Sequence, residues 1–181
     1  AEDNFLILNS LGNAYLNRAQ LRELQAVSAG KIGLDDKEIE FKQKSKTDVQ
    51  RASEYFQNSI KFAREQNQSL AEMRGLLNLI KLGSYTDKSK VVRDALALLE
   101  SLPDSDTKVY GAIDLAYLQR NYQNNSSFNT CPNQLVLPDK SLSLLKKSVL
   151  TSNILKDSRS QSYANGALGH FWECNQDYQK A

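Results

Sequence analysis

Apolar residues recur along most of this chain at three- and four-residue spacing, the period of a helix that turns one face inward. Leu8, Leu11 and Tyr15 make the first stripe, and Val49, Ala52, Phe56, Ile60 and Ala63 the second. Leu70, Met73, Leu77 and Ile80 make a third. A fourth runs through Val91 or Val92, Ala95, Leu98 or Leu99, and Leu102, where Pro103 stops it. Val109–Ala112–Ala116, Leu142–Leu145–Val149, and Ala164, Ala167 or Leu168, and Phe171 bring the stripes to seven. Seven helices imply three antiparallel pairs and half of a fourth.

Composition agrees with an all-α chain. The 26 Leu and 15 Ala outweigh 19 Val, Ile and Thr together, which favours helix formers over β-branched residues. Eight Gly and three Pro give little turn punctuation for a sandwich or barrel. At 181 residues the chain can bury a core without disulfide staples. Its 23 basic and 21 acidic residues are mixed and leave a formal charge of +2, which argues against a nucleic-acid surface or a polybasic membrane anchor. No apolar run approaches the roughly 18–20 residues of a membrane span, and no signal peptide is visible. A soluble chain is expected, in the cytoplasm for preference, with export left open.

Internal repetition sharpens this picture. Leu11-Gly12-Asn13-Ala14-Tyr15 returns near the end as Leu168-Gly169-His170-Phe171-Trp172: Leu-Gly, two residues, then a large aromatic. Weaker echoes begin at Leu77 and Leu115, 38 residues apart, close to one helix–turn–helix unit. The other two gaps, 66 and 53 residues, must contain insertions.

Leu11-Gly12-x-x-Tyr15 resembles the first helix of a tetratricopeptide repeat (TPR), and Ala52-x-x-x-Phe56-x-x-Ser59 resembles its second. In the last unit Leu168, Gly169 and Trp172 fall into the same pattern, and Ala181 stands where the second helix's small residue belongs. The steric reason is that a small residue lets two helices approach while a large one fills the adjoining groove. The resemblance therefore gives Leu11, Gly12, Tyr15, Ala52, Phe56, Leu77, Leu115, Leu168, Gly169 and Trp172 as packing positions. The implied fold is a right-handed superhelical array of antiparallel helix pairs over residues 1–181. Its units span about 3–67, 69–102 and 107–156, with an incomplete fourth over 158–181. The order of segments also resembles the divergent TPR arrays of bacterial proteins that carry a caspase-like CHAT domain, although the peptidase motifs themselves have no counterpart here. Because Tyr178–Ala181 reads as the opening of a second helix, the sequence is expected to be a piece of a longer protein.

Two insertions depart from the repeat. Residues 18–47 are charged, lack Pro and carry Gly only at 30 and 33. Both halves read as helix, so the first pair is expected to be lengthened on both arms into a projecting hairpin. Its turn should fall at Gly30–Asp36, with Gly closing one helix and Asp capping the next. Residues 121–138 are polar, contain two Pro and have no period, which predicts a surface loop.

Catalytic equipment is sparse. His170 and Cys174 stand i, i+4 on one helix face but have no adjacent third ligand or orienting acid. Asp35-Asp36 and Asp104-Ser105-Asp106 lie at helix boundaries, where acids act as caps. Cys131 and Cys174 could pair in an oxidising compartment, or stay as two thiols in the cytosol. No enzyme activity, metal or cofactor is expected.

What remains is binding. In the TPR family the first helices of successive units line a concave groove for a peptide or a partner helix. The resemblance places Asn9, Asn13 and Asn17 in that groove, then Tyr110, Ile113, Tyr117 and Asn121, then Tyr163, His170 and Glu173. Asn can grip an extended backbone through both donor and acceptor, and Tyr offers contact area with a polar tip. The paired basic residues of the family's carboxylate clamp are absent. The expectation is a non-enzymatic scaffold that recruits a protein or peptide, or regulates a downstream domain such as a caspase-like peptidase. Alternatives are a spacer without a ligand, and self-association through the hairpin or the incomplete last unit.

Overall fold

The computed structural model describes residues 4–82, 88–121 and 138–181. Among these the chain consists of helices joined by turns, with no strand. Seven helices follow in order: α1 (Asn4–Lys31), α2 (Asp35–Glu65), α3 (Ser69–Lys81), α4 (Lys88–Ser101), α5 (Asp106–Asn121), α6 (Pro138–Leu155) and α7 (Ser158–Cys174). No described helix is long and apolar enough to cross a membrane. Contacts cluster the chain into two compact bodies, Ala1–Val91 and Val92–Ala181.

In the first body the lengthened hairpin forms. The turn is closed by Gly33, whose φ of 75° is a left-handed conformation open to Gly at little cost. The Leu34 amide donates to Ala29 O at 3.0 Å and the Gly33 amide to Gly30 O at 3.2 Å, satisfying carbonyls that the ending helix leaves free. The expected Asp cap does not form. The N-cap is Leu34, without a side-chain bond, and Asp35 and Asp36 sit inside the first turn, where acids favour the helix dipole.

The seam between α1 and α2 is built from small side chains. Phe5, Gly12, Ala19 and Ala26 are buried at seven-residue intervals, opposite Ser45, Ala52 and Ser59 at the same interval. A Cβ placed on Gly12 would overlap the ring of Phe56, which is fully buried. Ser59 Oγ donates to Phe5 O at 2.8 Å, and Ser45 Oγ to Ala19 O at 3.0 Å. Such hydroxyl-to-carbonyl bonds need the two backbones close together. Leu11, expected to pack, is instead 39% exposed.

Helix α3 packs on both α1 and α2. Its close approach is made at Gly75, where a Cβ would stand 2.7 Å from Ile60 Cγ1. Leu77 is buried beside it. Asn67, with φ of 55°, ends α2. The Gln68 amide then reaches Ala63 O at 2.8 Å.

In the second body α5, α6 and α7 all touch one another. Ser141 Oγ on α6 donates to Ala116 O on α5 at 3.1 Å, again a small residue at a crossing. Leu115 and Leu145 are fully buried. After α7 the chain turns rather than starting another helix: Gln176 is left-handed at φ 59°, and Asn175 Nδ2 donates to Phe171 O at 2.7 Å. Ala181 therefore does not lie in a helix, and its carbonyl rests 3.2 Å from where a Cβ on Gly169 would be.

Candidate functional site

Helix α5 begins at a side-chain cap. Ser105 Oγ accepts from the Lys108 amide at 3.2 Å, while Asp106 accepts from the Thr107 amide at 2.6 Å. Asp104 pairs with Lys108 at 3.1 Å. Helix α7 begins at Asp157, whose carboxylate accepts from the Ser160 amide at 2.9 Å. The bonds from Ser160 hold the Asp157 carboxyl below the usual carboxylate range. These caps fix where each helix starts, and so which residues face each other between them.

Five of the expected groove residues meet there. Tyr110 and Tyr163 approach edge to face, with ring centroids 5.5 Å apart and planes at 76°. Tyr117 stacks on His170 at 6.2 Å, and its hydroxyl donates to Ala167 O at 3.3 Å. Between α5 and α7 lies an open cleft of about 350 Å³, lined by Ile113, Asp114, Tyr117, Ser162, Tyr163, Gly166 and Ala167. Ile113 is buried at its base, and Tyr163 is 62% exposed at its edge. No atom lies within 4 Å of a Cβ built on Gly166, so a stretch of α7 backbone faces open space.

Chemically this is a contact surface. Aromatic faces give it area, Ile113 an apolar floor, and Asp114 and Ser162 polar groups in its lining. Asp114, Ser162 and Gly166 were not singled out in the sequence. The signal was available: Ser162 and Gly166 lie one turn apart on the face of α7 that carries Tyr163, and Asp114 lies between Tyr110 and Tyr117 on α5.

The other expected residues fall elsewhere. Glu173 is exposed, one turn past His170, with Oε2 3.4 Å from His170 Nδ1. Asn9, Asn13 and Asn17 belong to the first body. There Asn9 Oδ1 accepts from Asn78 Nδ2 at 3.0 Å and ties α1 to α3. Asn13 is half-buried and Asn17 exposed. Trp172 and Leu168 are half-buried. The side chain of Asn121, Cys131 and most of the loop expected over 121–138 lie outside the described residues, while Cys174 is disulfide-bonded and no free cysteine stands among the described residues. Cys174 Sγ stands 3.6 Å from His170 Nε2. Among the described residues no group of three or more His, Cys, Asp or Glu could hold a metal ion.

A charged cluster that the sequence reading passed over sits on the hairpin. Asp48 is 1% exposed and receives Arg18 through two bonds, from Nε at 2.9 Å and Nη2 at 2.7 Å. Arg22 Nη1 reaches the same carboxylate at 2.7 Å. The bonds from Arg18 hold the Asp48 carboxyl below its ordinary range, against the opposing effect of burial. Arg18 also lies 4.6 Å over the ring of Tyr15, which stacks on Tyr55 at 5.4 Å. Every group here is engaged across α1 and α2, so the cluster sets hairpin register. Comparison with family models, with curated proteins and with solved structures finds no match.

Proposed function

We propose that this chain is a non-enzymatic protein-interaction scaffold, a TPR-like helical array whose cleft between α5 and α7 takes a segment of a partner protein. The observation that carries this reading is the cleft itself. Two helices that are not consecutive in the chain lie side by side with tyrosines at the edges, yet leave the backbone at Gly166 uncovered. A cleft of about 350 Å³ with an apolar base suits one bulky side chain of a docked segment. The TPR-like arrangement is supported by a recurring pattern. In each body a helix touches the next helix and the next but one: α1 with α2 and α3, α5 with α6 and α7. The likeness to CHAT-associated arrays adds a role, recruiting partners for, or regulating, a caspase-like domain elsewhere in a longer protein.

The test is affinity capture from native lysate with the chain immobilised. Tyr117→Ala and Tyr163→Ala should each reduce recovery of the principal partner by about tenfold, the effect of one lost aromatic anchor. Lys61→Ala, an exposed position on α2 in the other body, should not. Undiminished recovery by both tyrosine variants would count against cleft binding.

A further inference from the structure

The sulfur at the end of α7 has reactive neighbours. Cys174 is the last residue of that helix, half-buried and disulfide-bonded. Disulfides that solvent reaches are the ones that thiols open, whereas shielded ones resist. One turn back lies His170, with Nε2 3.6 Å and Nδ1 3.9 Å from Cys174 Sγ. Glu173 brings Oε2 to 3.4 Å from Nδ1 of the same ring. Helical spacing makes this cluster, since residues i, i+3 and i+4 share a face. From α5, Tyr117 stacks on the ring at 6.2 Å and limits its rotation. An imidazole with a proton on each nitrogen can donate to Glu173 and still face the sulfur with positive charge.

We propose that Cys174 is a thiol–disulfide exchange site, opened by a small dithiol reductant, with His170 stabilising the departing sulfur. One thiolate of the reductant attacks the sulfur bonded to Cys174. The S–S bond breaks, and its electron pair leaves on Cys174 Sγ as a thiolate. His170 in its charged form faces that thiolate and gives it a proton. The second thiol of the reductant then displaces the other sulfur from the mixed disulfide and closes the reductant's own disulfide. In sum the chain gains two electrons and two protons, the dithiol loses them, and His170 recovers its proton from water. Exchange is faster when the leaving thiolate is more stable, and a cationic imidazole beside a thiolate stabilises it. Two effects oppose this: the negative end of the α7 dipole and the Glu173 carboxylate both disfavour a thiolate. The dipole is spread over the last turn and the carboxylate meets His170 first, whereas the ring lies against the sulfur, so the nearest charge prevails. A ligand in the α5–α7 cleft is not required for any step.

The test follows reduction of the oxidised 181-residue chain by excess dithiothreitol at pH 7, with acid quenching and intact mass as the readout. His170→Gln should slow reduction about fivefold, the effect of a less stable leaving thiolate. A merely structural role for His170 would loosen the end of α7 on substitution and speed reduction instead. A second measurement isolates the thiol. In Cys131→Ser, Cys174 is the one cysteine of the sequence. Its alkylation by iodoacetamide at pH 7 should be about threefold faster than in Cys131→Ser/His170→Gln, because a larger thiolate fraction is partly offset by lower nucleophilicity. Equal or faster reduction of His170→Gln would overturn the proposal. So would equal alkylation of the two single-thiol chains, or a folded chain whose disulfide dithiothreitol does not open.

Discussion

Single residues decide how closely these helices approach. Asp48 is the clearest case, a buried carboxylate answered by two guanidinium groups from the facing helix. Removing it leaves two cations without their partner, so Asp48→Ala should cost about 3 kcal/mol in urea unfolding. Its carboxyl lies below its ordinary range in the folded chain. Unfolding lets it return to that range and bind a proton more readily. The stability it gives is therefore complete above the ordinary carboxylate range and is lost as the pH falls below about 4. Glu40, held down to about 2 by Lys37 and Lys44, acts in the same direction from an exposed site. Urea midpoints at pH 7, 5 and 3 should show little change over the first interval and a drop over the second. In Asp48→Asn the drop should be smaller. Gly12 makes the complementary point. Its missing side chain is the space that Phe56 fills, so Gly12→Val should destabilise by about 2 kcal/mol, an overpacking effect visible in the same titration.

At the scale of elements, the sequence was most legible where helices stop. Gly33, one of only eight glycines, marked the turn of the long hairpin, and equal lengthening of both arms follows from helices meeting there. Helix ends made by other residues were harder to see. Lys156 and Gln176 adopt left-handed backbone without a residue type that announces it. Lys156→Gly should relieve that strain and raise stability by about 1 kcal/mol, measured by thermal unfolding. The face of α1 was misread for a physical reason. Hydrophobicity selects the large side chains, Leu11 among them, but this seam is packed with Gly, Ala and Ser so that backbones can nearly touch. Apart from Phe5 and Phe56, the large residues, Leu6, Ile7, Leu21 and Leu24 among them, are displaced to the outside. Only the seven-residue recurrence of Phe5, Gly12, Ala19 and Ala26 could have shown the inner face. The same blindness hid Gly75, which in a helix reads as weakness rather than as a crossing point. Asp48 lay unnoticed among charged neighbours for a related reason, since its burial follows from its register with Ser45 and Ala52.

At the scale of the molecule, five of the ten expected groove residues come together because they share helical spacing on α5 and α7, and side-by-side packing of those helices does the rest. Asn9 was assigned by the same count but is engaged with Asn78, a partner that no repeat pattern identifies from one sequence. The cysteines belong to this scale as well. Cys174 is disulfide-bonded, so intact mass under non-reducing conditions should be two daltons lower than after reduction; equal masses would contradict the bond. The proposal that the α5–α7 cleft receives a partner segment is tested most directly by filling it without disturbing its walls. Gly166→Leu adds a side chain to open space on an exposed helix face and replaces a poor helix former with a good one. Affinity capture and thermal unfolding of this variant should together show an unfolding temperature no lower than that of the unsubstituted chain and recovery of the partner reduced at least tenfold. Full recovery by a stably folded Gly166→Leu chain would contradict it.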